Sequence, residues 1–270
     1  MSLRTRLVIF VLLFGSTVLV NVSALIYLAR SISQSLDAIE LIRQRQLVTV
    51  QMNAHLRDAE AALYRYQING EAGFKLQFHE QLEQFSREIA QYRLLASQLN
   101  EQQWASELER AYQQALTTGS DLIELHDDQA AQMDGFLATQ SQLSAFLSTE
   151  ALSSRPDDPA YQAIVAEMHE ASRAMLAAVT GYLASPDETK RGQFTDAVVS
   201  FQQGMNDFSS IARSDEEKAW AADILSQFSQ LKSLGTGLIG GRDLQQSLYA
   251  NFISIVFNAG QQTIVGKIQP

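Results

Sequence analysis

Arg57 and Arg173 stand out first as side chains that could do chemistry. Each lies one residue past a seam position of a predicted helix, Leu56 and Ser172, and the two occupy equivalent places in an internal repeat set out below. A guanidinium fork directed into a helix bundle binds a carboxylate bidentately, so both are expected to bind ligand. The plainer use of such arginines is to snorkel to solvent or to pair with a helical neighbour such as Asp58 or Glu60. Arg65 and Arg242 are candidates to join Arg57 in one bundle. The repeat partner of Arg242 is His126, so each bundle would hold a basic residue at a matching place.

Other chemistry is poorly represented. His55, His79, His126 and His169 fall on different predicted helices, none at i, i+4 from another, and no Glu-x-x-His pair repeats. A metal centre is therefore not expected. The chain has no cysteine, which removes thiol catalysis and Cys-ligated zinc. Gly235-Thr-Gly-Leu-Ile-Gly240 has the form G-x-G-x-x-G, but no strand precedes it, so it is not read as a dinucleotide loop. Gly235, Gly237, Gly240 and Gly241 predict instead a bend or a close helix approach. No Ser/His/Asp grouping can be argued. Neither an enzyme nor a cofactor is expected.

The elements that position these residues are helices. Hydrophobic residues make up 46% of the chain, enough for a core, and only four prolines interrupt it. The net charge is −10, with Arg4 and Arg6 forming the sole basic cluster, so nucleic-acid binding is not expected. Met52, Leu56, Ala59, Leu63 and Tyr66 form a bundle seam. Phe78, Leu82, Phe85, Ile89 and Tyr92 form the face of a second helix, and Trp104, Leu108 and Tyr112 that of a third. Asn100 to Gln103 has the form of a loose capping box. Breaks are predicted near 70, 99, 155, 186 and 214.

The pattern then starts again. Shifting the sequence by 116 positions superposes Met52 on Met168, Arg57 on Arg173, Tyr66 on Tyr182, Phe78 on Phe194, Trp104 on Trp220, Gly119 on Gly235 and Phe136 on Phe252. Residues 52–136 give 19 identities in 85 positions, well above chance for this composition, and the repeats extend over about 48–137 and 164–253. Short loops make successive helices antiparallel. The expected fold is all-α: an N-terminal transmembrane helix, then six helices forming two stacked antiparallel four-helix bundles.

Leu7 to Leu28 carries no charge and is long enough to span a bilayer. Arg4 and Arg6 before it predict a cytoplasmic N-terminus (1–6), a transmembrane helix (7–29) and an exported region (30–268), with residues 30–270 outside the inner membrane. A cleaved signal peptide ending at Val22-Ser23-Ala24 is the competing reading.

Six helices, two bundles, the repeat and the preceding apolar span together resemble the helical bimodular, four-helix-bundle sensor domain of bacterial chemoreceptors and sensor histidine kinases. The resemblance covers about residues 30–268 and rests on length and topology rather than on a sharp motif. It implies sites for small solutes inside the bundles, organic acids among them. It also implies a homodimer at the membrane and, beyond Pro270, a second span and an output module. The alternative is a membrane-anchored helical scaffold without a small-molecule ligand.

Overall fold

A computed structural model describes residues 3–268. The side chains of residues 1–18, of Val20 and of residues 269–270 lie outside that description. The described chain is all-α, without a strand. α1 spans Leu3–Asn69, α2 Ala72–Leu95 and α3 Leu99–Phe146; α3 continues through a π-helical turn, Leu147–Ala151, to Ser154. α4 spans Pro159–Ala184, α5 Glu188–Ile211 and α6 Asp215–Phe257, which continues as a π-helical stretch, Asn258–Ile268. Every interruption falls within a few residues of a predicted break. Gly70 is the one residue with positive φ (66°) among the described residues, and only a glycine enters that region freely. Asp158 and Asp187 cap α4 and α5 through their carboxylates, which accept the Tyr161 and Thr189 amides.

Among the described residues no helix is long and apolar enough to cross a membrane. The run Leu7–Leu28, expected to do so, lies for most of its length outside the described side chains.

The chain divides into two compact units. The first comprises Met1–Asp58, Glu80–Tyr112 and Phe257–Pro270; the second comprises Ala59–His79 and Gln113–Val256. The first unit buries Met52 and Leu56 of α1, Leu82, Phe85, Ile89 and Tyr92 of α2, Ala105 and Leu108 of α3, and Ala259 and Ile264 of the last stretch. The second contains a continuous core drawn from the C-terminal half of α3, from α4 and α5, and from α6 up to Ile239. Phe201 and Phe228 stack at its centre, their centroids 4.6 Å apart. Burial follows the repeat: Met52, Tyr66, Phe78, Phe85, Leu122 and Phe136 are buried, and so are Met168, Tyr182, Phe194, Phe201, Leu238 and Phe252.

Three polar or steric devices recur at the same spacing. Phe78 lies against Gly119, where a Cβ would stand 2.1 Å from its ring, and Phe194 lies against Gly235, where it would stand 2.6 Å away. Asp127 accepts hydrogen bonds from Tyr66 and, at 3.3 Å, from Lys75. Asp243 accepts them from Tyr182 and, at 2.6 Å, from Arg191. Glu101 receives the Ser97 and Gln98 amides at 2.8 and 3.0 Å, and Glu217 receives those of Arg213 and Ser214 at 2.6 and 3.1 Å. An arginine closes each of these two caps and also donates to the last carbonyl of the preceding helix: Arg45 to Glu101 and Leu95, Arg155 to Glu217 and Ile211. The cap expected over Asn100–Gln103 lies two residues earlier, with Glu101 accepting the Gln98 amide, because α3 begins at Leu99.

Candidate ligand pocket

The expected inward direction of Arg57 and Arg173 is corrected by the structure: both are exposed. The reason is helical phase. Leu56 and Ser172 are buried, and one further residue turns the side chain about 100° away from the seam. Arg65 is exposed as well, its guanidinium 5.8 Å over the Phe74 ring. His126 is half-buried and sits edge-on to Tyr66, ring centroids 5.1 Å apart. Arg65 is not among the residues that line a cavity with Arg242.

Arg242 does line one. Tyr64, Gln67 and Ile68 of α1 and Arg242, Gln245, Gln246 and Tyr249 of α6 line a cavity of about 310 Å³, open to solvent, within the second unit. The spacings i, i+3, i+4 on α1 and i, i+3, i+4, i+7 on α6 place each set on one helix face. Arg242 Nη1 donates to Gln245 Oε1 at 2.6 Å, and Gln245 is itself buried. Arg242 Nε and Gln67 Nε2 are buried and have no hydrogen-bond acceptor among the described residues. The tyrosine rings stand 6.4 Å apart, tilted by 39°. Burial, then the charge of Glu60 and the neighbouring Tyr64, push the Tyr249 hydroxyl up, so it stays protonated and able to donate.

None of the lining residues is acidic, although the Glu60 carboxylate, one turn before Tyr64, stands near enough to act on Tyr249. The nearest carboxylate in sequence, Asp243, is committed to Tyr182 and Arg191. The lining therefore presents a guanidinium, a carboxamide N–H and phenol groups, with no carboxylate of its own. Unsatisfied buried donors cost about 1–3 kcal/mol each, more for a charged group, and a carboxylate supplies the acceptors both lack.

The repeat partner of this cavity is different. Thr180, Leu183, His126, Gln129 and Met133 stand where Tyr64, Gln67, Arg242, Gln245 and Tyr249 stand here. The donor set is not a by-product of the repeated scaffold. Asp127, Asp243, Glu101 and Glu217 were not singled out as functional from the sequence, although both pairs are identities of the repeat and that signal would have found them.

Among the described residues no group of three or more histidine, aspartate or glutamate side chains could hold a metal ion. No protein-family model matches the chain, and no curated protein matches its sequence.

Proposed function

We propose that the chain is the ligand-receiving region of a bacterial membrane receptor, of the sensor-kinase or chemoreceptor type, and that the Arg242 cavity holds a small organic acid. The observation that supports this most is that Arg242 Nε and Gln67 Nε2, on two residues lining one cavity, are both buried donors without an acceptor among the described residues. In this reading the apolar run Leu7–Leu28 anchors the chain in the inner membrane and the helical region faces outward. The helices form two stacked four-helix bundles, and a ligand that favours one α1–α6 arrangement shifts the population of receptor states.

A second copy of the chain fits the same reading. Leu25, Ile32, Leu36 and Ile39 are spaced four or three apart (with Ala29 between the first two) on one face of α1, and the four large side chains are 59–65% exposed. That spacing suits a two-stranded seam with a second copy.

A thermal-shift screen of dicarboxylates and hydroxy acids on the full chain tests the reading. A ligand at 100 times its Kd stabilises by about 2.7 kcal/mol, and Arg242→Ala is expected to remove that gain. A screen in which no acid raises the melting temperature would favour the membrane-anchored scaffold.

A further inference from the structure

A second cleft, of about 350 Å³, lies between α5 and α6 in the same unit. Phe194, Val198 and Ile239 form its apolar floor, and Arg191 and Lys232 stand on its walls. Asp243 also lines it, but its carboxylate already accepts from Tyr182 and Arg191. Lys232 makes no ion pair among the described residues. The cleft is therefore cationic in a chain whose net charge is −10.

The repeat isolates what is particular to it. At the equivalent place on α2 and α3 stand Lys75, Phe78, Leu82, Ile123 and Asp127, so the scaffold of phenylalanine on glycine and clamped aspartate is common to both copies. Three positions differ in kind. Thr195 stands where the first copy has His79, Lys232 where it has Leu116, and Gly240 where it has Glu124. The second change adds a cation; the third removes a carboxylate together with its whole side chain.

Gly240 also lacks a packing reason. A Cβ at Gly235 would meet Phe194 at 2.6 Å, one at Gly237 would meet Gln132 at 2.8 Å, and one at Gly241 would meet Gln129 at 2.9 Å. A Cβ at Gly240 would meet nothing within 4 Å. A glycine inside a helix is unfavourable relative to alanine, so an unforced one on the wall of a cleft points to something that needs the space.

We propose that this α5–α6 cleft binds a small organic monocarboxylate with an apolar body. Its carboxylate pairs with Lys232 and its apolar part lies on Phe194, Val198 and Ile239, with entry over Gly240. The site is separate from the Arg242 cavity: the two have no lining residue in common.

The probe is 4-fluorobenzoate, followed by ¹⁹F NMR on the full chain, with 4-fluorobenzyl alcohol as its neutral counterpart. The parent is expected to bind the acid in preference to the alcohol. Lys232→Leu and Gly240→Glu, each restoring the residue of the first copy, should weaken the acid by about tenfold or more, the first by removing a charge-assisted contact and the second by setting a like charge beside the bound carboxylate. Lys232→Arg should retain binding, and Arg242→Ala should leave it within about twofold of the parent, since Arg242 lines the other cavity and not this one. Loss of binding in Arg242→Ala would place the probe in the other cavity and overturn the assignment. So would equal affinity for acid and alcohol, no binding by the parent, or unchanged binding in both Lys232→Leu and Gly240→Glu.

Discussion

Single positions in this chain differ sharply in what a substitution would cost. Gly119→Ala gains helix propensity of about 1 kcal/mol but places a Cβ 2.1 Å from the Phe78 ring. Overpacking of that kind costs about 1–3 kcal/mol, so the variant should melt below the parent in a thermal denaturation. Gly240→Ala meets no neighbour and should melt above it. Arg57→Ala and Arg173→Ala change exposed side chains and should each stay within about 0.5 kcal/mol of the parent. The sequence distinguished these cases only in part. The glycines announced close helix approach, and three of the four predicted in α6 do face a close neighbour. Which of them is free depends on the side chain opposite, and Gln129 and Gln132 come from another helix. The arginines failed for a different reason. Chain order marks a seam to within a residue, but one residue turns a side chain about 100°. Arg242 was legible as a candidate; that Gln67, Tyr64 and Tyr249 line one cavity with it was not, because they meet it only after α1 and α6 come together.

At the scale of elements, the helix ends carry the polar order. Glu217 caps α6, pairs with Arg155 and is almost wholly buried. Burial alone would raise its carboxyl; the hydrogen bonds from Arg155 and from the Arg213 and Ser214 amides outweigh that and hold it at about 2, against a usual 4.5. A carboxylate depressed in the folded state stabilises above its unfolded pKa, and that stabilisation is lost as pH falls through the folded value. The stability of the parent should therefore fall between about pH 4.5 and 2, and Glu217→Gln should show a shallower fall over that window in an acid titration of the melting temperature. At neutral pH the variant should be less stable by about 1–3 kcal/mol, since the amide satisfies Arg155 and the two backbone donors less well. An identical slope in both proteins would remove Glu217 from the account. The breaks themselves were readable because glycine, proline and capping residues act locally. Glu101 and Glu217 were present as repeat identities, yet their arginines come from unrelated positions, 45 and 155, so the closing partner has no repeat signature.

For the whole molecule, the repeat of 116 positions was the most informative feature of the sequence. It foretold six helices and the positions of their ends, because each copy must bury the same faces. It foretold nothing about where the copies would differ, and the candidate sites lie at those differences: Arg242 against His126, Lys232 against Leu116, Gly240 against Glu124. The exposed face of α1 carries the proposal of a second copy. Leu36→Asp and Ile39→Asp should convert a dimer to a monomer when the mass of the full chain is measured in detergent, because a charge in an apolar seam is left unpaired. A mass unchanged by either substitution would move the interface elsewhere.

The central claim is that Arg242 holds the carboxylate of a small solute. It is tested most directly by the ¹⁵N–¹H resonance of the Arg242 Nε group, followed as an acid found in the thermal screen is titrated into the full chain. A carboxylate that accepts from Nε should move this resonance saturably and slow its exchange with water, with the Gln67 side-chain amide moving at the same ligand concentration. Resonances of the exposed Arg57 and Arg173 should stay in place. A titration that stabilises the protein yet leaves the Arg242 and Gln67 signals unmoved would contradict the assignment.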